Sequence, residues 1–166
     1  VCSSDLIRFT MNAIMGKLIT PMKIDISTGD VITPRAIEYP YKLLLDDRSI
    51  RLWSYNLETI LAEKLQTVLA RGLLNTQMRD FYDIRTLLSI YEQEIDENVL
   101  KDAFKATCKK RETENLKAEG SQIITAIEGD VQLHNLWKSY QKKYPYAADI
   151  SYEDIMESTK SLFDKI

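Results

Sequence analysis

Residues 56–72, NLETILAEKLQTVLARG, carry the period of a helix with one buried face: Leu57, Ile60, Leu61, Leu65, Val68 and Leu69 recur every three to four positions. Asn56 stands where an N-cap belongs, Glu58 sets a carboxylate in the positive first turn, and Gly72 occupies a C′ position. At about 100° per residue, Lys64 and Arg71 fall inside the apolar arc and are expected to point inward. Residues 78–91, MRDFYDIRTLLSIY, repeat the pattern with Phe81, Ile84, Leu87, Leu88 and Tyr91. Here Asp80 lies within the arc and Asp83 at its edge, and Asn75 or Thr76 can cap. An unpaired buried charge is very costly, so these groups must meet each other, a ligand or a metal.

Upstream, residues 7 to about 53 read as strands. Ile7, Phe9 and Met11 alternate, AIMGKLI forms a second β segment, and MKIDI places Met22, Ile24 and Ile26 on one face with Lys23 and Asp25 on the other. STGD makes a turn, VITP and IEYP form a proline-broken exit, and YKLLL and SIRLW flank a DDRS turn. Downstream, helices are expected at 97–111, about 121–128, 131–143 and 152–165. Asp96 precedes the first, and Ser151 with Asp154 opens the last as a capping box. The fold class is therefore α+β, a β-rich lobe over 7–53 followed by a helical lobe over 54–166.

Composition bounds the function. The 166 residues are 45% hydrophobic and 28% charged with a net charge of -3, as in an ordinary globular protein of one domain or two small lobes. No apolar run approaches the roughly 20 residues needed to cross a bilayer, so a cytoplasmic location without membrane contact is the expectation. Cys2 and Cys108 make neither a disulfide framework nor a CxxC pair, and His134 is the single histidine, which argues against His/Cys catalysis and a zinc site. Any metal would be a hard cation on carboxylates and phosphates, Mg2+ above all. The opening VCSSDL translates GTG TGC TCT TCC GAT CT plus any base, which matches the end of a common sequencing-library adapter. With no initiator methionine, Val1 to Leu6 are expected to be an assembly artefact on a chain that continues upstream.

The candidate residues each admit two readings. Asp25, on the polar face of a strand, can carry one carboxylate into a cleft or simply be solvated. Lys64 and Arg71, two turns apart, can line up along a polyphosphate; alternatively Lys64 pairs with Asp80 and pins two helices together. Asp83 shares the face of Asp80 and can hold the cation, accept from substrate or bind metal. Glu58 and Glu63 read as a first-turn acid and a solvated face. Lys101, Lys105, Lys109 and Arg111 read as a solvated charge run, and Trp53, Trp137 and the tyrosines as core or lobe-interface residues.

Taken in order, MKIDISTGDVITP, YNLETILAEKLQTVLARG and NTQMRDFYDI closely resemble the AbiEii-type nucleotidyltransferase toxins of type IV toxin–antitoxin (abortive infection, phage defence) systems. The resemblance spans about residues 7–95 and continues more loosely beyond. It implies a nucleotidyltransferase-fold lobe and a helical lobe with an NTP and Mg2+ between them. Asp25 would be a metal carboxylate, Lys64 would face the nucleotide phosphates with Arg71 near it, and Asp80 and Asp83 would complete the catalytic set. The implied reaction transfers a nucleotide to an RNA acceptor such as tRNA, with a cognate antitoxin acting mainly through transcription. Transfer to a small molecule such as an aminoglycoside, or a non-catalytic helical interaction module, are the alternatives. Two departures stand out: the glycine-serine turn and Asp-x-Asp pair usual near the N-terminus are missing, and Gln77 replaces a usual arginine. A chain with one strand carboxylate is expected to be inactive by itself.

Overall fold

The alternating start of the chain folds as a β-hairpin in the computed structural model, which describes residues 7–166. The reading of Val1 to Leu6 as an artefact lies outside the described residues. Strand β1 (Ile7–Met15) pairs antiparallel with β2 (Leu18–Ile26), with Ile7 opposite Ile26, Phe9 opposite Ile24 and Met11 opposite Met22. These pairs share one face because strand side chains alternate. AIMGKLI is not a separate strand: Gly16, at φ 60°, takes the left-handed conformation a tight turn needs, and the segment is the hairpin's tip.

The chain divides into two compact units, the first ending at Val31 and the second spanning Ile32–Ile166. The second opens with another antiparallel hairpin, β3 (Ile37–Lys42) and β4 (Ser49–Ser54). IEYP therefore belongs to a strand rather than to an exit, and Pro40 is accommodated because a two-stranded sheet leaves one backbone edge of each strand unpaired. The leucines of YKLLL fall in the connecting loop, where Leu44 and Leu45 are 91% and 99% exposed. Trp53 is exposed as well, so of the two readings, core or lobe interface, the core one is corrected.

Six helices follow among the described residues: α1 (Leu57–Arg71), α2 (Met78–Tyr91), α3 (Glu97–Lys110), α4 (Leu116–Glu128), α5 (Val131–Lys143) and α6 (Tyr152–Asp164). Helix α1 ends at Gly72, whose N–H still bonds to the Val68 carbonyl while its positive φ turns the chain out of the helix. Asp96 caps α3 by accepting from the N–H groups of Asn98 and Val99, and Ser151 and Asp154 cap α6 reciprocally. Leu61, Leu65 and Val68 of α1 enter one core with Phe81 and Ile84 of α2, Leu100 of α3, Ile127 of α4, Trp137 of α5 and Ile155 of α6. Each such side chain contributes roughly 1.5–3 kcal/mol on burial. The two amphipathic segments that carry the inward charges are thereby fixed side by side.

Candidate functional site

Packing α1 against α2 through their apolar arcs sets Lys64 beside two carboxylates of α2. Lys64 Nζ donates to Asp83 Oδ2 at 2.5 Å and to Asp80 Oδ1 at 3.4 Å. Asp80 and Asp83 can share one ammonium because residues three apart lie on the same helix face. The side chains keep 22%, 17% and 22% of their surface for Lys64, Asp80 and Asp83, so the cluster is neither sealed in the core nor fully solvated. Arg79 approaches Asp83 from the solvent side at 3.7 Å.

The cluster opens into a cleft of about 300 Å³ lined by Tyr55, Ile60, Glu63, Lys64, Thr67, Asp80 and Arg111. Arg111 reaches it from the C-terminal end of α3. Its Nη1 donates to Gln66 Oε1 at 2.5 Å and Thr67 Oγ1 at 3.2 Å, and Nη2 lies 3.8 Å from Glu63. Gln66 is buried and its amide is oriented by donation to Thr113 Oγ1. Arg111 therefore faces α1 and does not continue the solvated run of Lys101, Lys105 and Lys109, which are exposed. Lys101, Lys105 and Lys109 are spaced i, i+4 along one stripe, whereas Arg111 stands two residues past Lys109, on the side of the helix that buries Leu100, Phe104 and Thr107.

Two further acids differ from their expected roles. Glu58 is buried, accepting from Asn56 Nδ2 at 2.7 Å and from the backbone N–H of Asp96 at 3.1 Å, and so ties the start of α1 to the start of α3. Glu63 lies on the cleft wall opposite Arg111 rather than on a solvated face. Arg71 is exposed at the last turn of α1, so the expectation that it points inward is corrected. The helix ends there with the side chain in solvent. A cation at this end still complements the helix dipole.

Asp25 belongs to the first compact unit. It is exposed on β2, opposite Arg8 of β1, and its two oxygens accept from Arg8 Nε at 2.6 Å and Nη2 at 2.9 Å. This bidentate pairing holds its carboxyl below the usual range. Each candidate carboxylate is thus already bound to a cation, and no group of three or more His, Cys, Asp or Glu side chains with metal-holding geometry exists among the described residues. The described donor set does not by itself fit a divalent metal. Cys108 is buried, and burial pushes its thiol pKa up, which makes it a packing residue.

The tyrosines form an arrangement that spacing alone hides. Tyr82 of α2, Tyr140 of α5, and Tyr144 and Tyr146 just after α5 pack ring to ring, with centroids of 4.8 Å for Tyr82–Tyr146 and 4.6 Å for Tyr140–Tyr144. Tyr140 also stacks on buried Trp137. The cluster anchors α5 on the helix that carries Asp80 and Asp83. No helix of the described residues is long and apolar enough to cross a membrane.

A family model described as nucleotidyl transferase AbiEii toxin, type IV TA system, matches residues 3–158. No curated protein and no solved structure matches the chain.

Proposed function

The chain belongs to the AbiEii nucleotidyl transferase toxin family of type IV toxin–antitoxin systems, and from that premise we propose that its Lys64 cluster binds the phosphates of an NTP whose nucleotide is transferred to an RNA acceptor such as tRNA. Family membership implies an NTP substrate, usually a divalent metal, and an antitoxin partner. The observation that supports this reading is the half-open state of the cluster. A lysine held by two aspartates at a cleft wall is pre-oriented, and part of its surface remains available to an anion.

In this reading Lys64 meets the phosphates, Asp80 and Asp83 fix its ammonium, and Arg71 contributes longer-range positive charge from the exposed end of α1. Tyr55 and Ile60 offer the cleft an aromatic ring and an aliphatic wall against which a nucleoside can lie. Residues 7–53 act as part of the nucleotidyltransferase β lobe, with Asp25 among its carboxylates. Mg2+ is the metal we propose, and it would need carboxylates of the Asp-x-Asp kind usual in the family beside Asp25. A chain without that pair is expected to transfer nothing. The antitoxin is proposed to act mainly at transcription, and the setting is cytoplasmic phage defence.

The test is transfer of labelled nucleotide to tRNA by a protein that includes the Asp-x-Asp segment, as wild type, Asp25→Asn and Lys64→Ala. Both substitutions should abolish transfer. The Asp25 variant should unfold at nearly the wild-type midpoint, because an exposed ion pair contributes little. Full activity in either variant overturns its assignment.

A further inference from the structure

We propose that Arg111, held in its cleft by Gln66 and Thr67, is a second phosphate-binding cation that faces the same polyphosphate as Lys64. The inference rests on the proposed NTP reading and adds a residue to it. The Lys64 ammonium is held by two carboxylates, at 2.5 and 3.4 Å. Arg111 is held differently. Its two hydrogen bonds go to neutral oxygens, of the Gln66 amide and the Thr67 hydroxyl, and its ion pair with Glu63, at 3.8 Å, is longer than a hydrogen bond.

Such bonds fix the guanidinium plane. A guanidinium carries five donors: Nη1 serves Gln66 and Thr67, and the Nε and Nη2 side, which faces Glu63 at ion-pair distance, is the side that would grip an anion. The support is rigid: Gln66 is 3% exposed and its own amide is tied to Thr113, which in turn donates to the Cys108 carbonyl. Arg111 lines the cleft with Lys64, and its side chain is a quarter exposed. A buried strut between α1 and α3 needs neither this exposure nor a share of the cleft wall. Arginine suits the position because its fork matches phosphate oxygens two at a time.

The probe is inorganic tripolyphosphate, titrated calorimetrically into the 166-residue chain and into Lys64→Gln, Arg111→Gln and Arg111→Lys variants. Wild type should bind. Arg111→Gln should lose about 10- to 100-fold in affinity, and Arg111→Lys should recover only part, since it restores the charge without the fork. Unchanged affinity in Arg111→Gln, with binding lost in Lys64→Gln, overturns the role of Arg111 and leaves the phosphate reading of Lys64 intact. Absence of binding by folded wild type overturns both. If Arg111→Gln does not fold, phenylglyoxal labelling of wild type followed by peptide mass spectrometry decides. Tripolyphosphate should slow modification at Arg111, and an unchanged labelling rate overturns the proposal.

Discussion

At the scale of single residues, the chain uses polar side chains to join helices as much as to line a cleft. Tyr152 shows the first use. Its hydroxyl donates to the Ile127 carbonyl at 2.7 Å, its ring stacks on His134, and burial together with Asp130, Glu128 and Glu153 pushes its pKa up to about 12. An unfolded tyrosine ionises near pH 10, so the folded pKa is the raised one. Its contribution is complete below pH 10 and is lost as pH climbs from 10 towards 12, by at most roughly 2–3 kcal/mol. Tyr152→Phe should cost about 1 kcal/mol at pH 8 and should lower the steepness of stability loss between pH 10 and 12. Denaturant midpoints at pH 8 and 11 for both proteins check this; equal pH dependence would show that another phenol dominates. Lys64, Asp80 and Asp83 were legible from the sequence because a charge inside an apolar arc breaks a strong pattern. Arg111 and Glu58 obey the same rule, four residues after Thr107 and three before Leu61, but the lysines before Arg111 and the first-turn position of Glu58 each suggest a simpler solvated role that hides it.

At the scale of elements, capping and close packing set where each helix stops. The Ser151–Asp154 capping box was readable as local chemistry, and Ser151→Ala should cost about 1 kcal/mol through the lost bond to the Asp154 N–H. Gly120 was not readable. It sits in mid-helix in α4, where glycine normally costs about 1 kcal/mol relative to alanine, yet a Cβ there would run into the ring of Phe163 on α6. Gly120→Ala should therefore lower the unfolding midpoint by a few degrees, since overpacking of about 1–3 kcal/mol exceeds the propensity gain. Adding Phe163→Leu should restore it. A raised midpoint in the single variant would mean that the ring swings out freely. In the strands, the alternation located β2 correctly, but the AIMGKLI turn was misread because apolar residues flank Gly16 on both sides and mask the break.

At the scale of the whole molecule, membership in the AbiEii family and the placement of Lys64, Asp80 and Asp83 bear on one question. The three groups are either a ligand-binding constellation or a strut between α1 and α2. Energetics separates these roles, because removing one partner of a buried ion pair costs roughly 3–5 kcal/mol, whereas a cleft lysine loses much less. The most direct measurement is thermal unfolding of Lys64→Ala and Asp80→Asn, in a protein carrying the Asp-x-Asp segment, with and without the four NTPs and Mg2+, run beside a transfer assay. Wild type should gain stability from nucleotide by binding linkage. The variants should start from nearly the wild-type midpoint, gain less from nucleotide, and transfer nothing. If instead both unfold about 10 °C lower or more without ligand, and a double substitution to packed apolar residues restores the midpoint, the cluster is a strut and the site assignment is contradicted.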